Sequence, residues 1–288
     1  MATVTETVAL AGRAKPAFGR ASGFRVARVI WLREVIVYSR DRTRLVSALV
    51  MPILMIILFG EGFGSTIGTL APGIDYRQFI FPGIVAMTVL QNSVFSGVSI
   101  IWDREFGFLR EILVAPISRT AIGLGKLLAG ATIALAQGVL MFIFAPILGV
   151  DFSMGVILQL IGVLFLFALT MTSVGIAIAS RVKAVESFQM IAQLTIMPSM
   201  FLSGIFFPVN NLPGWMEVLV KLNPVTYAVA PIRAIALDNE LAVPAGQNPV
   251  VGIELFGHVL STAECLTILV AFGVLIMGIA IQSFRKQG

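Results

Sequence analysis

The sequence predicts an all-α polytopic membrane protein with six transmembrane helices, and three observations carry that prediction. Of its 288 residues, 58% are hydrophobic and 12% charged, with a mean hydropathy of +0.97. Apolar runs repeatedly reach the roughly 20 residues a helix needs to cross about 30 Å of hydrocarbon with its backbone bonded internally. Lys and Arg also alternate between connections. With the N-terminus inside, seventeen fall on cytoplasmic pieces and three outside, which is the positive-inside pattern. The spans fall near 45–63, 79–102, 122–148, 153–179, 187–207 and 258–282, with both termini cytoplasmic. The net charge of +5 is then an inner-face feature suited to anionic membrane lipids. It does not form the basic surface that nucleic acid would need.

Residues 1–22 are rich in Ala, Gly and Thr with scattered basic residues, and read as a flexible cytoplasmic tail. Nine Lys or Arg up to Arg44, and no apolar block before a small-residue cleavage site, argue against a signal peptide. From residue 23 to 44 an amphipathic helix is expected. Phe24, Ala27, Trp31, Val35 and Tyr38 share one arc, while Arg25, Arg28, Arg33 and Arg40 lie elsewhere. Such a helix either lies at the inner membrane surface or extends the first span into the cytoplasm. The six-span unit then covers 45–288.

Pro52 should kink the first span by removing a backbone bond, and GEGFG (60–64) ends it, with Glu61 as an interfacial charge. The second span carries Gln91, Asn92 and Ser93 near its middle. DREFGFLREILVAPISR (103–119) follows, with six charges in seventeen residues. Phe106, Leu109, Ile112 and Leu113 share a helical face, and Arg104, Glu105, Arg110 and Glu111 fill much of the rest. Pro116 stops this short helix before it could span. It serves either as a handle through which a partner moves two spans or as a surface turn.

Gln137 and Gln159 mark the third and fourth spans. In the fifth, Gln189 and Gln193 lie one turn apart, near Phe188, Met197 and Phe201. Polar side chains inside spans line a path or hold helices together by hydrogen bonds. Beyond the fifth span, PVNNLPGWMEVLVKLNP (208–224) is broken by prolines and glycine. The apolar VTYAVAPIRAIAL (225–237) is too short to cross, so it should dip into the outer leaflet or lie along it beneath a protein cover. Glu264 lies in the outer part of the last span. A single Cys265 and a single His258 leave no internal disulfide and no His/Cys metal cluster.

WDREFGFLREILVAPISRTAIGLGK (102–126) resembles the first cytoplasmic loop of ABC-2 type ABC transporter permeases, which reads roughly R-E-x-G-T-L-E-x-L-L-V-T-P-I-S-R…G-K. Arg104, Glu105, Gly107, Leu109, Glu111, Leu113, Pro116, Ser118, Arg119, Gly125 and Lys126 match in order. Phe108 stands where Thr is common and Arg110 where Glu is common. LSGIFFPVNNLPGWMEVLVKLNPVTYAVAPIRAI (202–235) is similar to the family's S-G-x-x-F-P…L-P…N-P-x-T-Y…R outer segment. Drug and polysaccharide exporters, including daunorubicin-resistance and nodulation types, share these blocks. The resemblance therefore does not select a cargo.

The resemblance implies a coupling helix that docks on a separate ATP-hydrolysing subunit, present in two copies. Arg104, Glu105, Gly107, Leu109, Arg110, Glu111 and Arg119 would lie at or near that joint. It implies a second permease copy or close paralogue around a central path, with the second and fifth spans facing it; Gln91, Asn92, Ser93, Gln189, Gln193, Met197 and Phe201 are the path candidates. It also implies that Phe24, Trp31 and Tyr38 belong to an interfacial helix, that 211–237 forms outer re-entrant helices, and that the setting is a bacterial inner membrane. GLGK (123–126) lacks the upstream Gly and following Ser or Thr of a phosphate loop, since Thr120 and Leu127 stand there. ATP and Mg are accordingly expected on the partner subunit, with no cofactor and no enzymatic activity here. The competing reading is a self-contained secondary transporter or channel.

Overall fold

The computed structural model describes residues 23–63, 69–71, 74–106, 118–150, 152–209, 212–237, 253–255 and 258–286. Helices dominate. They are α1 (Gly23–Arg40), α2 (Arg42–Met55), α3 (Tyr76–Phe95), α4 (Val98–Glu105), α5 (Arg119–Leu140), α6 (Met154–Arg181), α7 (Val185–Phe201), α8 (Gly214–Leu222), α9 (Thr226–Leu237) and α10 (Thr262–Lys286). Two short antiparallel pairs accompany them, β1 (Thr69–Ala71) with β2 (Ile74–Asp75), and β3 (Glu254–Leu255) with β4 (His258–Val259). Among the described residues five runs are long and apolar enough to cross a membrane: Arg42–Gly60, Tyr76–Glu105, Thr120–Leu148, Met154–Arg181 and Thr262–Gln282. The chain is a multi-pass membrane protein.

The differences from the expected boundaries are local. The helix expected over 23–44 divides at Asp41, whose carboxylate accepts from the Arg44 amide at 3.0 Å and caps α2. Beyond Pro52, α2 widens into a π-helical stretch over Ile56–Phe63, with the Ile56 amide bonding back to Ile53 and Pro52 carbonyls. Where a span was expected over 187–207 lies α7, a helix of 17 residues that ends at Phe201 before turns and is not among the five crossing runs. The last span begins at Thr262, after β4. Ser261 and Glu264 form a capping box there, the Glu264 carboxylate accepting from the Ser261 amide at 2.7 Å and hydroxyl at 2.8 Å. Glu264 is thus a helix-start cap.

α3 and α4 form the centre, with 72% of their most apolar window buried against 17% for the first and last crossing helices. Phe79, Ile80, Phe81 and Ile84 have no exposure at all. Around them pack α5, α6, α7 and α9, with α10 against α6 and α1 against α5. Lipid tails are as apolar as these side chains, so close packing rather than water exclusion must hold the bundle. Gly175 shows how close: a Cβ there would run into the Val94 carbonyl of α3.

At the end of the bundle where α3 begins, α8 and α9 meet at 86°. α9 is buried along most of its length against α3, α6 and α10, while Trp215, Val218 and Leu222 of α8 stay exposed.

Candidate functional site

The opposite end of the bundle holds a charged cluster that joins three helices. α1 brings Arg33 and Glu34, α4 brings Asp103, and α5 brings Lys126. Lys126 is 6% and Asp103 7% exposed. The Lys126 ammonium lies 2.5 Å from Asp103 Oδ2 and 3.0 Å from Glu34 Oε1, and donates at 3.1 Å to the Ser99 hydroxyl. It also donates to the Ser99 carbonyl at 3.3 Å, so its hydrogen bonds go to Glu34 and Ser99 while Asp103 Oδ2 stands beside it as an ion pair. Arg33 Nη2 donates to Asp103 Oδ1 at 2.8 Å and lies 3.4 Å from Glu34. Two cations balance two carboxylates, which is the condition under which buried charge is tolerated. Gly125 makes this fit, because a Cβ there would lie 2.8 Å from the Ala27 carbonyl.

The cluster closes on the 103–126 segment from both ends. Asp103 precedes the segment predicted to couple, and Lys126 ends it. Arg104 Nη1 also donates to the Val182 carbonyl at 2.9 Å, between α6 and α7. Glu105 is exposed at the end of α4. Gly107, Leu109, Arg110 and Glu111 lie outside the described residues, and Arg119 opens α5 with its side chain likewise outside them.

Further along α1, the Trp31 indole donates to the Thr132 hydroxyl at 3.1 Å, and the Gln137 amide donates to the Tyr38 hydroxyl. Burial raises the Tyr38 phenol above its ordinary pKa against the pull of Arg44, so it stays a neutral hydroxyl. Gln137 thus ties α5 to α1. Phe24 is 80% exposed, because the face of α1 that packs is Val26, Ala27, Ile30 and Glu34, offset from the predicted stripe. Neutralisation by Lys126 lets Glu34 occupy that face.

The far end has its own fixed point. Arg233 of α9, 3% exposed, donates to the Gly204 carbonyl at 2.6 Å and the Ile205 carbonyl at 3.3 Å, and stacks 3.7 Å above the Phe79 ring. It joins α9, the turn after α7, and α3.

The family profile of the ABC-2 type transporter matches residues 25–237, which include the joint and both helices of the bent pair. The chain belongs to the ABC-2 type transporter family. It is 31% identical over 211 residues to the ycf38 transport permease of Cyanophora paradoxa, covering 71% of this chain and 72% of that one. It is 28% identical over 218 residues to the doxorubicin resistance ABC transporter permease protein DrrC of Mycobacterium tuberculosis, covering 72% and 75%. The inner membrane transport permease YadH of Escherichia coli K12 is 29% identical over 210 residues, with 71% and 80% covered.

In this ABC-2 permease the fifth-span candidates fall together. Gln189, Gln193, Met197 and Phe201 recur every fourth residue and are all exposed, while Phe188, Ala192, Ile196 and Met200 form the buried row beside them. The second-span candidates do not join them on one surface. Ser93 is fully buried, Gln91 is half-buried, and Asn92 lines a cavity beside the charged joint while donating to the Thr88 carbonyl at 2.8 Å. Gln159 lies exposed beside a groove between α6 and α9. Sequence reasoning missed the roles of Arg33, Glu34 and Asp103, and read Lys126 only as part of a motif. A lone cation in an apolar run was the available signal for Arg233.

Proposed function

We propose that this ABC-2 permease is the membrane subunit of an ATP-driven exporter that moves an amphipathic drug, lipid or glycan-type cargo outward. Two copies, or this chain with a close paralogue, assemble with two ATPase subunits that carry ATP and Mg. The charged joint is the observation that carries the reading. Any force delivered to the 107–117 segment reaches α4 through Asp103, α5 through Lys126, α1 through Arg33 and Glu34, and the α6–α7 junction through Arg104. A lever needs such stiff anchorage at both ends. The segment then lies in the cytoplasm with both termini, as the seventeen-to-three distribution of Lys and Arg supports.

This anchorage suits alternating access. ATP-driven closure of the ATPase pair pushes the two levers together, the inner ends of α4 and α5 move as one, and a path along α7 opens outward. The polar Gln189 and Gln193 among Met197 and Phe201 suit an amphipathic cargo, and the similarity to a doxorubicin resistance permease supports a drug-like one. The test is reconstitution with the ATPase. Glu105→Ala and Arg110→Ala should lower stimulated ATP hydrolysis and co-purification, and full stimulation in both variants would sink the coupling assignment. Gln193→Leu should change which of several chemically distinct cargoes is exported while leaving the ATPase bound.

A further inference from the structure

Arg44 is left over from the charge balance at the joint. Arg33 and Lys126 answer Glu34 and Asp103, whereas no carboxylate among the described residues lies within ion-pair distance of Arg44. Its guanidinium is held instead by two rings, 5.1 Å from the Tyr38 centroid and 5.8 Å from that of Trp102. It borders a cavity of about 240 Å³ between α1, α2, α3–α4 and α5, with the charged cluster on one side and Phe95 and Ile133 among its apolar walls. Drug-sized ligands occupy roughly 300–1,000 Å³, so this space suits a headgroup-sized anion and not a drug-sized cargo.

We propose that this cavity binds the phosphate of an anionic phospholipid. A phosphodiester brings one negative charge, matching the one surplus positive charge among the described residues that line the cavity, and its paired oxygens fit the planar fork of an arginine. The place favours lipid over free phosphate. Arg44 stands in the first turn of the first crossing helix, Arg42–Gly60, where the phosphates of a surrounding bilayer lie. The ring and aliphatic walls give the glycerol and upper chain an apolar lining. Arg33, Glu34, Asp103 and Lys126 border the same space, so a lipid held there braces the joint. The proposal needs no motor and is tested on the permease alone, so it stands or falls separately from the exporter reading.

The experiment uses the full-length permease in phosphatidylcholine nanodiscs doped with brominated phosphatidylglycerol. Quenching of tryptophan fluorescence is scored as the part that Trp102→Phe removes, and lipid retention is measured in parallel by native mass spectrometry. Phosphatidylglycerol should quench and be retained where brominated phosphatidylcholine is not. Arg44→Ala should weaken both readouts about tenfold, the scale of one charge-assisted contact, and the exposed neighbour Arg42→Ala should leave them unchanged. If Arg44→Ala unfolds early, Arg44→Gln keeps a polar side chain without the charge and should show the same loss. Equal behaviour of the two lipids, or no loss in the Arg44 variants, overturns the proposal. Inorganic phosphate that shifts the Trp102 emission where brominated phosphatidylglycerol gives no quenching assigns the cavity to a soluble anion and overturns the lipid assignment.

Discussion

Replacing Lys126 by Met tests the joint most directly. The substitution keeps an unbranched, helix-compatible chain of similar length and removes only the ammonium. Two carboxylates with side-chain exposures of 9% (Asp103) and 15% (Glu34) then face each other. Only Arg33, 36% exposed, remains to neutralise them. Breaking a buried pair by deleting one partner costs about 3–5 kcal/mol; with Arg33 still in contact the lower figure applies, about 3 kcal/mol. At roughly 2–3 °C per kcal/mol for a chain of this size, melting should fall by about 6–9 °C. The natural reporter is Cys265, the only thiol in the chain and 2% exposed. A thiol-reactive dye therefore stays dark until the bundle opens. Asp103→Asn combined with Lys126→Met should recover much of the loss, because removing both charges relieves the desolvation cost. For comparison, the exposed Lys221–Glu217 pair should be worth less than about 0.5 kcal/mol. A Lys126→Met protein that melts with the wild type would refute the buried clasp.

Two further outcomes can be read in the same melting assay. Arg233→Ala removes donors to two buried carbonyls and the stacking on Phe79, so melting should fall by an amount equivalent to about 2–4 kcal/mol; Arg233→Lys should not restore it, since an ammonium lacks the planar fork. Gly175→Ala forces α6 away from the Val94 carbonyl and should cost about 1–3 kcal/mol, while Gly162→Ala on the same helix, with open space at its Cβ position, should be neutral.

Span positions were legible because the bilayer imposes a length on any helix that crosses it. All five crossing helices among the described residues begin and end within a few residues of the expected apolar runs. What escaped were features that depend on distant pairing. Glu34 drew no reading from the sequence, yet it packs inward because Lys126, ninety-two residues later, neutralises it. Arg33 and Asp103 meet across seventy residues, and neither position carries a local pattern that announces its partner. Arg233 contributed to the charge count of a connection and is instead sealed beneath carbonyls released by the turn after α7. The fifth-span stripe was readable from its four-residue spacing. The dispersal of Gln91, Asn92 and Ser93 was readable too, since three consecutive residues must point to different neighbours on a helix; which neighbours they meet was not.

Arg104 and Arg233 both donate to main-chain oxygen. Mutational tolerance at these two fasteners should therefore be one-sided. Val182 and Ile205 supply oxygens that every amino acid carries, so replacements there threaten the fasteners only by bending the chain, whereas Gly204 has a φ of +82° that other residues adopt only with strain. Replacing either guanidinium removes the fastener outright.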